Sequence, residues 1–313
     1  MNSKHIMTTI ACAAAFCGSV RAEAEAKETE EQGLSWAMGE GVAFGETSIV
    51  SAEVGLAFDS KFMSYGLVDN NDPILTPLAA LTFFDWVTFS VESIFDTTRY
   101  GEKAGYRDHA FRSQELDPGV AIGHAFGPDE GLPTTVEFEL GYMYEAHPEV
   151  TGPDTQFVTF SVGLPDLWFE PTFSYERDID RDDGTYLNLE IGHTFTIVEG
   201  KEEGDDDILG FRVSAAQGWG DRKRVRAYLP DVNVAVEEDE DAPGLDHAGL
   251  MDTCIKGELT WNIADGISLG AYIAYYDYLF DATARDCAKA YEATGSHTDS
   301  YNFVTGVSLA IAF

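Results

Sequence analysis

From about residue 48 to Phe313, apolar and polar side chains alternate along the chain with a period of two. An extended strand sends successive side chains to opposite faces, so this spacing predicts strands with one greasy face and one polar face. In the first run Val50, Ala52, Val54, Leu56 and Phe58 share a face, opposed by Ser51, Glu53, Gly55, Ala57 and Asp59. A second run covers 74–84 and is interrupted by Pro77. After a turn at Asp85-Trp86, a third sets Val87, Phe89, Val91 and Phe95 against Thr88, Ser90, Glu92 and Asp96. The same reading continues through runs near 115–122, 136–142, 158–163, 167–176, 187–197, 209–214, 255–263 and 267–275, and ends with 301–313. Among the later runs, Leu187, Leu189 and Ile191 oppose Asn188, Glu190 and Gly192, and Ile255, Leu259 and Trp261 oppose Lys256, Glu258 and Thr260.

The runs number twelve, and six longer connections alternate with five mostly short ones. The longer ones fall near 62–73, 98–113, 145–154, 177–184, 219–249 and 279–299. Short turns at one end and long loops at the other are the arrangement of an outer-membrane barrel. The pattern therefore predicts an all-β fold, a transmembrane antiparallel up-and-down barrel over 48–313 with both termini at the short-turn, periplasmic end. A soluble β-sandwich also alternates, its apolar face forming a core. Here the polar face mixes Gly, Ser, Ala and Thr with charges, residues small enough for a narrow lumen. Aromatic residues gather near run ends: Tyr144, Tyr175, Tyr275 and Tyr301 toward the long loops, and Phe84, Phe195, Trp261 and Phe313 toward the short turns. Two such girdles are expected where amphipathic rings meet lipid headgroups.

Charge sharpens the picture. With 19 basic and 55 acidic residues the formal charge is −36, a balance that repels nucleic acid. The alternation places Glu53, Asp59, Glu92, Asp96, Glu115, Asp117, Glu137, Glu139, Glu170, Glu176, Glu190 and Glu258 on the lumen face. Lys61, Arg212 and Lys256 are the opposing bases there. Carboxylates lining a narrow passage concentrate cations and repel anions. The alternative is that these acids keep the lumen wet, some of them paired with the three bases.

The N-terminus reads as a targeting segment: Lys4, then an apolar stretch from Ile6 to Val20, then Val20-Arg21-Ala22. Residues 1–22 are expected to be a cleaved signal peptide and 23–47 a periplasmic lead-in. Export would place Cys254 and Cys287 in an oxidising setting, where a disulfide pinning the last long loop to the barrel rim is the default and two unpaired thiols the alternative.

The opening Ser51-Ala52-Glu53-Val54-Gly55-Leu56, followed by Ser60, Phe62 and Gly66, resembles the start of the TorF-type porin family of small exported outer-membrane barrels. Where that family continues into an Arg-Gly step, this chain has Tyr65-Gly66. The resemblance implies a barrel and carries over no functional residue. The C-terminal Phe313, preceded by Tyr301, Leu309 and Ile311, resembles the strand signature that the barrel-insertion machinery reads in outer-membrane proteins.

These features point to an outer-membrane channel for passive diffusion of small hydrophilic solutes, with a cation preference. Its expected partners are outer-membrane lipid, the insertion machinery, and small solutes or cations; nucleic acid is not among them. No cofactor, metal ion or catalytic residue is assigned. The alternatives are a structural or adhesive barrel with an occluded lumen and a barrel-borne hydrolase, the latter resting on Ser296, His297 and Asp299 in one loop. His124 and His193 fall on the outward face near turns. The acidic loops Asp178 to Asp183 and Glu237 to Asp241 read as solvated charge, with divalent binding as the rival reading.

Overall fold

A computed structural model describes residues 43–44, 47–98, 110–148, 153–200, 207–228, 247–281, 284–285 and 301–313. Two short strands, β1 (Ala43–Phe44) and β2 (Thr47–Ser48), pair with each other ahead of the barrel. The barrel is a closed sheet of β3 (Val50–Asp59), β6 (Ile74–Phe83), β7 (Val87–Asp96), β8 (Arg112–Phe126), β9 (Val136–Glu145), β10 (Thr155–Gly163), β11 (Thr172–Asp178), β12 (Thr185–Val198), β13 (Leu209–Gly220), β14 (Gly249–Ala264), β15 (Ile267–Asp277) and β16 (Tyr301–Ala312). Every barrel strand is antiparallel to its neighbours, which are the strands before and after it in the barrel's chain order. The ring closes where β16 meets β3, in register from Gly306 opposite Asp59 to Ala312 opposite Glu53. Beyond that ladder, the Phe313 amide donates to the Ala52 carbonyl at 2.8 Å and the Ala52 amide to the Phe313 carbonyl at 3.2 Å. Closure leaves no unpaired sheet edge, the condition for strands in lipid.

The outward face is apolar all round the ring. Leu140 is 51% exposed, Ile273 53% and Val307 55%, while their chain neighbours turn inward. Such a band suits a hydrocarbon solvent and not water. Aromatic groups border it at both ends. At the short-turn end Trp86 stacks on His124 with ring centroids 4.2 Å apart, and Phe126 on Phe138 at 5.6 Å. Trp168 and Phe195 flank His193 on the next stretch of that rim. At the long-loop end Tyr275 lies against Tyr301 and Phe303.

The long connection over 62–73 departs from the expectation of an outer loop. It forms a hairpin of β4 (Phe62–Ser64) and β5 (Leu67–Asn70) that packs inside the barrel. Met63 packs with Ala274, Tyr276 and Val304 from the lumen face of β15 and β16. Phe62 meets Ile74 and Ile94, and Tyr65 with Leu67 joins Met251, Val225 and Tyr278. Apolar side chains in the run Phe62, Met63, Tyr65 and Leu67 explain the choice, since burying them against wall residues removes them from water. Glycine at 66, with φ of 82°, lets the hairpin turn there. A second long connection, 219–249, contributes a short helix, α1 (Arg222–Tyr228), over the same mouth.

Two further boundaries differ. The run expected over 167–176 splits, because 164–171 is a turn and β11 starts at Thr172; Glu170 sits in that turn with φ of 39°. β14 begins at Gly249, so Cys254 lies well within the strand and faces the lumen beside Met63 and Tyr276, away from the rim. Residues 1–22, Cys287 and hence its pairing with Cys254, the Ser296-His297-Asp299 group and Glu237 to Asp241 lie outside the described residues.

Candidate functional site: the barrel lumen

Alternation and ladder register together fix which side chains enter the lumen. Glu53, Asp59, Glu92, Asp96, Glu115, Asp117, Glu137, Glu139, Glu176, Glu190 and Glu258 occupy inward positions, as their spacing requires. Glu170 reaches the lumen from its turn, where it meets Arg212.

Apart from Glu53 on β3 and Glu176 at the mouth, the acids fall into two groups. In the first, each acid has a cation or donor. Arg212 on β13 bridges Glu170 and Glu190, the latter at 3.1 Å, and the Thr194 amide donates to Glu170 at 2.9 Å. Lys256 on β14 pairs with Glu258 and stands 5.1 Å from the centroid of the Tyr272 ring, whose hydroxyl donates to Asp59 at 2.6 Å. Lys61 donates to the Asn302 side chain at 3.0 Å. Asp96 pairs with Arg112 at 3.3 Å, both wholly buried.

The second group lines β7, β8 and β9, on the side of the ring across from β13 and β14. Glu92, Glu115, Asp117, Glu139 and Glu145 gather there, with Glu137 further along β9. Among the described residues no Lys or Arg comes within ion-pair distance of those five; His147 approaches Glu115 and Glu145. Arg212 and Lys256 are thus engaged on the β13–β14 side of the lumen, while β7, β8 and β9 carry the carboxyl groups without a Lys or Arg partner, the Asp96–Arg112 pair being the exception on that wall.

At the long-loop mouth the hairpin is locked from above. Arg224 of α1 is fully buried, 3.1 Å from Glu176 and 3.7 Å from Asp182. Its guanidinium donates to the Tyr65 hydroxyl at 3.3 Å and lies about 5 Å from the rings of Tyr65 and Tyr228. Tyr65 also donates to Glu176, and Tyr278 donates to the Tyr65 carbonyl at 3.0 Å. Burial alone would lower the Arg224 guanidinium, but Tyr65, Glu176, Tyr228 and Asp182 hold it above its ordinary value. Burial pushes the Asp182 carboxyl up, and Arg224 offsets part of that. In the loop after β9, burial and then Arg181 hold the His147 imidazole below its ordinary value, against the opposing pull of Asp154.

Several lumen residues escaped the sequence reading. Glu145 and Asp252 share the parity of Glu139 and Lys256, so extending those runs by one turn of the pattern would have found them. Arg112 precedes the run in which it belongs, and Arg224 lies on a helix that no strand pattern reveals.

No family model and no curated protein matches the chain. Among solved structures it is similar to a KdgM porin in complex with disordered oligogalacturonate, at 8% identity over 84% of this chain and 99% of that one, with a TM-score of 0.43. It is similar also to an outer membrane channel from Pseudomonas putida F1, at 9% identity over 89% of this chain and 100% of that one, TM-score 0.44. A third is in-vitro folded OmpT, an outer membrane protein of Vibrio cholerae, at 10% identity, 88% and 100% coverage and a TM-score of 0.35. The TorF-type resemblance stands on the residues quoted for it alone.

Proposed function

We propose that the barrel spans an outer membrane and passes small hydrophilic solutes by diffusion, with a preference for cations. The observation that carries this reading is the wall of Glu92, Glu115, Asp117, Glu139 and Glu145, which faces the lumen with no Lys or Arg in ion-pair distance among the described residues. Fixed negative charge between low-dielectric walls raises the local concentration of cations and lowers that of anions. The apolar outer band and its two aromatic borders support the membrane setting. Planar-bilayer recording in a potassium chloride gradient tests the proposal. A reversal potential displaced toward the potassium equilibrium value supports it, and a displacement toward chloride overturns it.

One observation favours a second reading. The hairpin of β4 and β5 fills the lumen near the long-loop mouth, held there by Arg224 and by the Met63 and Tyr65 contacts. A barrel permanently closed in this way would be structural or adhesive. Purified, correctly folded protein that inserts into bilayers without any conductance decides for that alternative.

A further inference from the structure

Where the β8–β9 ladder reaches the long-loop end, an isolated bridge joins Leu116 to Ala146 through hydrogen bonds of 2.9 and 3.0 Å. That bridge sets the chain neighbours of both residues side by side: Glu115 from one strand, Glu145 and His147 from the other. The His147 amide donates to Asp154 at 3.0 Å, which fixes the start of the loop. As a result His147 Nε2 lies 3.5 Å from Glu145 Oε1 and 4.0 Å from Glu115 Oε2. One ligand atom from each of the three lies within 4.8 Å of the others. Asp117, next on the inward face of β8 and 7% exposed, interacts electrostatically with Glu115 and Glu145, and its Oδ1 has no hydrogen-bond partner among the described residues.

We propose that Glu115, Glu145 and His147 bind a first-row divalent transition-metal ion, of which zinc is the test case, with Asp117 beside them as a fourth donor, the third through oxygen. Three features favour this over a plain acidic patch. The set holds an imidazole, which suits zinc, nickel or copper, whereas calcium and magnesium prefer all-oxygen sites. It contains several carboxylates close together without a Lys or Arg partner, an arrangement a divalent cation neutralises. And the atoms already converge. Zinc–nitrogen and zinc–oxygen bonds of about 2.0–2.2 Å need the ligand atoms to close in by only a fraction of their present spacing, within reach of side-chain torsions. The site does not depend on solute passage, and it does not require the channel reading to hold.

The test is calorimetric titration of zinc into full-length protein, folded in detergent and stripped with a chelator, in millimolar magnesium to occupy acidic loops. One equivalent is expected to bind. His147→Ala and Glu145→Gln are each expected to weaken it by at least the ~10–100-fold that loss of a mere supporting contact costs a metal site. Cobalt substituted for zinc gives a visible absorption band that His147→Ala abolishes. Heat-modifiable electrophoretic mobility verifies folding, and Glu115→Gln replaces any variant that fails it. Absence of a bound equivalent in the wild type, or equal binding by folded His147→Ala and Glu115→Gln, overturns the proposal. Because binding is read without a membrane, a non-conducting barrel that takes up zinc counts against passage alone, and a conducting one that does not counts against this site alone.

Discussion

Glu92 on β7 and Asp117 on β8 stand directly opposite each other across the strand pair, both turned into the lumen. Like charges at directly opposed positions destabilise a sheet, by about 0.2–1 kcal/mol per pair. The fold bears this cost on the same wall that holds Glu115, Glu139 and Glu145. Neutralising one member is expected to relieve it. Glu92→Gln is predicted to raise the urea midpoint in detergent, by an amount within that range, and to move the bilayer reversal potential toward zero. A lower midpoint with unchanged selectivity would separate this pair from the field of the lumen.

Removing a base should act in the opposite sense. Arg212 holds Glu170 and Glu190 together on the far wall, with side chains about one-fifth exposed. Arg212→Ala leaves two carboxylates uncompensated, so it is predicted to deepen cation preference and to lower the unfolding midpoint. The same bilayer recording and urea series check both effects, and a selectivity change of the same sign as in Glu92→Gln would contradict a charge-based mechanism.

The barrel was legible because lipid and lumen impose the same period of two on every strand, and Leu187, Leu189 and Ile191 against Asn188 and Glu190 record it directly. The inward positions of the acids on strands follow from that parity; that of Glu170 does not, since it sits in the turn before β11. The hairpin was not legible, because Phe62, Met63 and Leu67 look alike whether they line a loop in solvent or fill a lumen. What decides their position is a set of partners far along the chain, such as Met251, Tyr276 and Val304. Arg224 was invisible for the same reason: its neighbours Glu176 and Tyr65 come from a strand and a hairpin that the sequence does not place beside it. The Glu115, Glu145 and His147 cluster needs the pairing of Leu116 with Ala146, which continues the β8–β9 register past the end of the ladder and which alternation within either strand alone does not specify.

The hairpin turn gives a direct handle on the mouth. Gly66 has φ of 82°, and a Cβ there would lie 2.5 Å from Cβ of Asp252. Gly66→Ala therefore combines an unfavourable left-handed backbone with a clash against the β14 wall. The hairpin is expected to leave its seat while the barrel persists. Single-channel conductance is predicted to rise relative to the wild type, and limited proteolysis is predicted to cut within 62–70. Unchanged conductance with the hairpin cleaved would show that the constriction lies elsewhere.

Arg224 should matter more to stability than any surface charge. It is wholly buried, and its loss leaves Glu176, itself buried, without its guanidinium. Breaking a buried pair by removing one partner costs on the order of 3–5 kcal/mol. Arg224→Ala is predicted to lower the thermal midpoint, and Arg224→Ala with Glu176→Gln to recover part of the loss, since the orphaned charge goes with it. A double variant no better than the single one would place the contribution of Arg224 in its packing against Tyr65 and Tyr228.

What solvates the outer band is settled by one substitution at its centre. Leu140 lies midway along β9, points away from the lumen and is half exposed. If hydrocarbon surrounds it, arginine there must carry its charge into lipid, which costs about 2–4 kcal/mol at the midplane of an outer-membrane barrel. If water surrounds it, an exposed leucine exchanged for arginine changes stability by only about 0.5 kcal/mol. Leu140→Arg is predicted to fold in detergent, where the micelle yields, and to lose the larger amount in urea unfolding from phospholipid vesicles. Val120→Arg, outward on the neighbouring β8, supplies an independent second position. A near-neutral result at both would mean that lipid does not contact this face, and with it would fall the reading of the carboxylate wall as the lining of a membrane passage.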